Sequence, residues 1–330
     1  MDGSADQRSP ELHHQGRDHQ TRRAQRQVTE ASQAATGQPA HDQAHGEHRD
    51  GERHPSSLPA PGPPELSGAP TRGPRMSDLV VTREAGVLRL HIDREPKRNA
   101  LSGEVLDRIL AALLDVGDAR VVLLTSAGNR VFCAGADLVQ MAPDATGLEV
   151  HQGLGKLREV VLAMRACPVP VVASVQGLCL AGGVGLVLGC DLVVAADAAA
   201  FALPEVDLGL WPFMVSALLG RHVSPKRAME MMLSARRVPA AEALQMGLLS
   251  RVVPAADLHA ETEALVAAIA AKPPVAVRLG KAAFLSAMET PLAPGLEAMQ
   301  AQLSLLNTTE DAAEGVGAFL ARRSPAWKGR

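Results

Sequence analysis

From Cys167 to Cys190 the chain carries no charged side chain, and this stretch limits the possible folds more than any other, because so much uncharged sequence has to leave water. It is long enough to cross a bilayer, for which about 20 apolar residues suffice. Its content argues against that. Pro168, Pro170, Gly177, Gly182, Gly183, Gly185 and Gly189 divide it, and Gln176 stands in its middle. Backbone groups freed by such breaks find no partner in lipid. The stretch is therefore expected to be protein core, with the β-branched run Val169 to Val175 as a strand buried on both faces and glycine turns after it.

The surrounding pattern is α/β. Val80–Val81 and Val87–Ile92 flank Glu84, Ala85 and Gly86 as a hairpin. Ser102 caps a helix with Glu104 in its first turn, and Leu106, Ile109, Leu110, Leu113 and Leu114 recur at helical spacing. Strands are expected at Arg120–Thr125 and Leu192–Ala195. Strands alternating with helices imply parallel pairing through crossovers. After Ser224 the character turns helical. Helices begin at Ser224–Pro225 and at Pro239, the second ending at Gly247, and Leu249–Val253 is a last strand. Asp257–Ala271, Pro274–Met288, Pro294–Asn307 and Glu310–Arg322 close the chain as four helices.

Residues 1–75 differ in kind. They hold nine Pro and seven of the 11 His but no Phe, Trp, Ile or Lys. Such a segment buries too little apolar surface to offset its ordering entropy. It is expected to be a disordered, low-complexity extension, or the product of a start codon read too far upstream. His41, His45 and His48 cluster within it, yet a His-rich tail is no metal site by itself, and none is expected. Met1–Arg26 lacks a secretory apolar core, and its acidic residues argue against a mitochondrial presequence. Cys133, Cys167, Cys179 and Cys190 form no CxxC pair and read as buried, reduced thiols, which suits the cytoplasm. With 33 basic against 36 acidic residues and no basic stripe bearing aromatics, no nucleic-acid partner is indicated.

Two turns carry chemical promise: Cys133-Ala134-Gly135-Ala136-Asp137-Leu138 and Gly182-Gly183-Val184-Gly185-Leu186. Small residues let a ligand approach the backbone, and the first N–H groups of a helix lack internal partners, so the pair can hold an anionic oxygen. A little later, Ala202-Leu203-Pro204-Glu205-Val206 sets a carboxylate in an apolar stretch. Burial there raises its pKa and makes it a usable base near neutral pH.

The segments REPKRNALS (94–102), VFCAGADL (131–138), PVVASVQGLCLAGGVGL (170–186), CDLVVAA (190–196), FALPEVDLGL (201–210) and TTEDAAEGVGAFLARRSPAW (308–327) resemble, in order, the signature regions of the crotonase superfamily, the enoyl-CoA hydratase/isomerase group. The resemblance spans nearly all of 76–330. It implies a crotonase-like spiral of ββα turns over 76–272 and a C-terminal helical oligomerisation region over 273–330, assembled as homotrimers or homohexamers. It implies a lyase or isomerase of acyl-CoA thioesters, with CoA as part of the substrate and no separate cofactor. Ala136 and Gly182 would supply the oxyanion-hole amides, and Glu205 matches a catalytic carboxylate. Lys97, Asn99, Ala100, Ala134, Gly135, Ala136, Asp137, Leu138 and Arg322 would border the CoA.

Two departures matter. Many hydratases of this family have a glutamate where this chain has Gly185. Hydration usually employs two carboxylates, whereas one suffices to move a double bond, so the residues lean toward isomerisation or another enolate reaction. Asp207 is a candidate second acid, though a solvated position suits it better. Where relatives often continue with glycines, this chain has Trp211-Pro212-Phe213-Met214. Gly185, Trp211 and Phe213 are expected to border the acyl pocket, the two aromatics alternatively filling core, with room at Gly185 for a bulky acyl group. Competing readings are a non-catalytic acyl-CoA binder and an NAD-dependent dehydrogenase. The latter fails because Leu188 stands where the dinucleotide fingerprint needs its third glycine. Cys133 as a nucleophile lacks a His-containing arrangement to support it.

Overall fold

Ala85 and Gly86 adopt φ of 50° and 75°, the twist of a tight hairpin turn. They fold β1 (Leu79–Glu84) back antiparallel onto β2 (Val87–Ile92). The structure is a computed structural model that describes residues 78–137 and 146–330. The expected disorder of 1–75, the cluster His41, His45 and His48, and Leu138 fall outside the described residues.

From β2 the chain passes through α1 (Gly103–Leu114), where the Ser102 hydroxyl accepts the Val105 amide at 3.2 Å, to β3 (Val121–Ser126), parallel to β2. Then it alternates. β4 (Val131–Cys133), β6 (Leu178–Leu180), β8 (Ala200–Ala202) and β9 (Val238–Pro239) build a four-stranded sheet in that order. β5 (Val171–Val175), β7 (Leu192–Ala196) and β10 (Arg251–Val253) extend the first sheet to the order β1-β2-β3-β5-β7-β10. Helix α2 (Gly147–Ala166) separates β4 from β5, and α3 (Gly182–Gly189) separates β6 from β7. Each turn of chain thus gives one strand to each sheet and then a helix, which is the expected spiral.

Both faces of the large sheet are covered. Leu88, Leu90, Val122 and Leu124 face the main core, whereas Val87, Val121, Leu123 and Val172 pack against Val266 of α7 (Leu258–Ala270). Strands buried on two sides read as continuous apolar runs, and β5 is buried at every residue. One expectation fails in α1: Leu114 is exposed, because the helix ends there and only Leu106, Ile109 and Leu113 of the expected stripe are buried. Helices α4 (Phe213–His222), α5 (Pro225–Ser234) and α6 (Ala240–Met246) lead to β10, and Gly247 (φ 90°) ends α6.

The chain closes with α8 (Pro274–Ala287), α9 (Leu292–Leu306) and α10 (Glu310–Leu320). Lys281 of α8 ties this region down: its nearly buried ammonium donates to the Met164 and Val169 carbonyls (2.9 and 3.1 Å) and to Asp191 (2.6 Å). The α9 helix begins two residues before the expected Pro294, since proline is tolerated in a first turn. Phe284, Met288, Leu292, Leu296, Leu303, Phe319 and Leu320 along α8–α10 are exposed.

Candidate active site

Three adjacent parallel strands, β4, β6 and β8, deliver the three candidate segments from their C-terminal ends, where open α/β sheets place ligands. Cys133 pairs with Cys179 and Leu180 with Ala202, and the Ala181 amide donates to the Ala202 carbonyl at 3.0 Å. The register therefore brings Ala134–Asp137, Ala181–Gly182 and Leu203–Glu205 to the same edge.

The two turns meet with no room to spare. A Cβ on Gly135 (φ 92°) would lie 2.7 Å from the Ala181 Cβ and 3.4 Å from the Gly182 nitrogen. A Cβ on Gly183 would lie 2.8 Å from the Cys133 Cβ. Ala181, at the N-cap of α3, holds φ 50° and ψ −125°, a strained setting for a residue with a side chain. It turns the chain so that Gly182 opens the helix. A Cβ on Gly182 would stand 3.8 Å from the Ala136 nitrogen, so the two residues are close neighbours. Ala136 is exposed, and neither amide donates to any group among the described residues. The first N–H of a helix is such an orphan donor. Two neighbouring amides without an acceptor are the kind of donors an oxyanion requires.

Glu205 follows on a 3-10 turn, Pro204–Leu208, closed by Gly209 at φ 72°. Its Oε2 is buried without a hydrogen-bond partner among the described residues. Burial raises its pKa above the ordinary carboxylate value. Asp207 is exposed.

Some expected ligand residues are bonded within the scaffold. The Asn99 side chain, wholly buried, accepts the Arg94 amide (3.1 Å) and donates to the Ala127 and Val131 carbonyls (2.8 Å each). Asp137 is buried too, its carboxylate paired with Arg94 at 2.9 Å and its amide given to Leu101. The Ala100 carbonyl accepts from Arg94. Ala134 donates its amide to the Arg98 carbonyl. Lys97 and Arg322 are exposed and without ion pairs among the described residues.

A Cβ on Gly185 would lie 3.3 Å from Val215 Cγ2 and 3.5 Å from Leu157 Cδ2, so these two apolar side chains border the place where room for a bulky acyl group is expected. Phe213 is 76% exposed and fills no core, whereas Trp211 packs against the core edge. Burial pushes the Cys133 thiol up to about 12, which leaves no reactive thiolate. A cavity of about 220 Å³ opens elsewhere, between Arg120, Pro168 and Lys272, without the amide pair or Glu205.

Sequence reasoning missed α2 altogether. Its start is marked by a capping box, Thr146 with Glu149, but Gln152, Gly153 and Gly155 blur the apolar spacing of its first turns. This helix brings Leu157 to 3.4 Å from where a Gly182 Cβ would be. Arg94 stood within a quoted motif, but nothing in a sequence marks an arginine as buried.

Fold and site together define a spiral α/β protein with two glycine turns meeting at its strand ends. The enoyl-CoA hydratase/isomerase family model matches residues 82–330, and the chain belongs to that family, within the crotonase superfamily. It is similar to 2,3-dehydroadipyl-CoA hydratase of Escherichia coli, 36% identical over 260 residues covering 77% of this chain and 100% of the relative. It is also similar to carnitinyl-CoA dehydratase of Proteus mirabilis, at 34% over 265 residues, 76% of this chain and 98% of that one. The solved structure of human enoyl-CoA hydratase domain-containing protein 3 superposes with a TM-score of 0.74 at 32% identity, covering 76% of this chain and 100% of its own. An enoyl-CoA hydratase from Mycobacterium smegmatis gives 0.74 at 34% identity, covering 76% and 99%. Among the described residues no helix is long and apolar enough to cross a membrane.

Proposed function

We propose that the protein moves a double bond within an enoyl-CoA thioester through an enolate, with Glu205 as its only acid/base. The thioester oxygen sits between the amides of Ala136 and Gly182. Glu205 takes a proton from the α-carbon; the C–H electrons pass into the carbonyl, and negative charge gathers on the oxygen. Each preorganised amide favours that charge over the neutral thioester by about 3 kcal/mol. The dienolate formed from a 3-enoyl thioester accepts the same proton at its γ-carbon, which leaves a 2-enoyl thioester and returns Glu205 to its carboxylate. A raised pKa suits a group that must both take and give a proton near neutral pH.

The observation that carries this reading is the Glu205 carboxylate, which holds the one buried side-chain oxygen without a hydrogen-bond partner among the described residues, on the same strand-end edge as the Ala136 and Gly182 amides, with Val215 and Leu157 bordering the Gly185 position. Hydration, the activity in the name of the E. coli relative, needs a further polar group to orient water, and the neighbours of Gly182 are Leu101 and Leu157. A non-catalytic acyl-CoA binder is the remaining alternative. Lys97 and Arg322, without ion pairs among the described residues, are assigned to the CoA phosphates. Four free, buried thiols suit a reducing compartment, and the cytoplasm is proposed.

The test incubates the purified chain with 3-enoyl-CoA and 2-enoyl-CoA, following double-bond shift and hydration separately. Shift without hydration is expected. Hydration as the faster reaction contradicts the single-acid reading, and tight binding of both esters without turnover of either favours the binder.

A further inference from the structure

Building on the reading of Ala136 as half of an oxyanion hole, we propose that Arg94 is a positioning residue that aims this amide through Asp137 and Ala100. The Gly135–Ala136 peptide is trans, so its carbonyl and its N–H point in opposite directions. The Gly135 carbonyl accepts the Leu101 amide at 2.8 Å, and the Leu101 carbonyl accepts the Asp137 amide at 3.0 Å. Whatever seats Leu101 against Asp137 therefore sets where the Ala136 N–H points.

Arg94 spans that seat. Its guanidinium donates to the Ala100 carbonyl, the residue before Leu101, and to Asp137 Oδ2 at 2.9 Å, the residue after Ala136. Its Nε donates to Asp78 Oδ2 at 2.6 Å, which fixes the plane of the fork. The Arg94 side chain is 2% exposed and that of Asp137 7%. A planar fork of donors holds several acceptors in one geometry, which a lysine ammonium cannot reproduce.

Stability alone gives no reason for this arrangement. Buried ion pairs are often replaced by apolar residues without loss of stability. The loop has its own ties as well: Asn99 binds the Arg94 amide and the Ala127 and Val131 carbonyls without using the guanidinium. What the charged group adds is a fixed relation between Leu101 and Asp137, and misplacement of a catalytic group by about 1 Å costs on the order of 100-fold in rate.

The test uses the full chain with Arg94→Lys, Asp137→Asn and the double substitution. It measures kcat and KM for the double-bond shift and hydrogen exchange of the peptide covering residues 134–137. Each single change is expected to lower kcat about 10- to 100-fold, to leave KM within about threefold, and to speed exchange in that turn while the sheets exchange as before. The double variant is expected to be no worse than the poorer single one, since both act through one contact. A folded variant with kcat within about twofold of the parent overturns the proposal, and so does a loss of kcat accompanied by faster exchange throughout the chain. If Arg94→Lys does not fold, Asp137→Asn, which keeps the volume, decides. If the parent turns over no enoyl-CoA, the functional reading falls by itself, and exchange alone then tests the positioning role: an unchanged turn overturns it.

Discussion

Glu205 keeps one carboxylate oxygen buried and without a partner among the described residues, an arrangement that costs stability and points to use. Its folded-state pKa lies above its unfolded value. Below the unfolded value both states hold the proton and there is no penalty; as pH rises through the folded value the buried charge must form and stability is lost. Glu205→Gln is therefore expected to become more stable relative to the parent as pH rises from about 4 to about 8, read from urea midpoints, while losing about 10²- to 10⁴-fold in kcat. Gly135→Ala has a different signature. With φ 92° and a 2.7 Å approach to Ala181, it is expected to lose roughly 2 kcal/mol of stability together with activity. The tight turn at Gly135 and the partial burial of Glu205 were legible because backbone geometry and an acid in an apolar stretch leave marks in sequence. Asn99 and Asp137 were read as ligand contacts, since a sequence does not show that a polar side chain is already satisfied by its own loop.

At the scale of elements, the β strands were legible because burial on both faces leaves unbroken apolar runs, as in Val171–Val175. Helix α2 was not, since only its second half buries an apolar face, Leu157 to Met164. That omission hid how α2, α3 and α4 meet around Gly185. Gly185→Glu would press a side chain against Val215 and Leu157 and set a carboxylate among apolar groups. It is expected to cost roughly 3 kcal/mol and to give no hydration, measured by urea unfolding and product analysis. Lys281 is the corresponding anchor of the C-terminal helices. Lys281→Met leaves Asp191 without its cation and is expected to lower stability by about 3 kcal/mol.

For the whole molecule, several large apolar side chains of α8–α10 are exposed to water, Phe284, Leu292, Phe319 and Leu320 among them. Second copies of this chain are the proposed cover, as trimers or pairs of trimers. Phe319→Glu with Leu320→Glu, on side chains 82% and 75% exposed, is expected to reduce the mass measured by light scattering without unfolding the protomer. Unchanged mass would place the interface elsewhere. Whether the assembled protein is an enolate-forming catalyst is read most directly from deuterium uptake at the α-carbon of an acyl-CoA in D₂O. The parent chain is expected to exchange that position and Glu205→Gln to exchange it at least about 100-fold more slowly. Equal exchange by the two proteins, or none by the parent under conditions where it binds the thioester, would contradict the account.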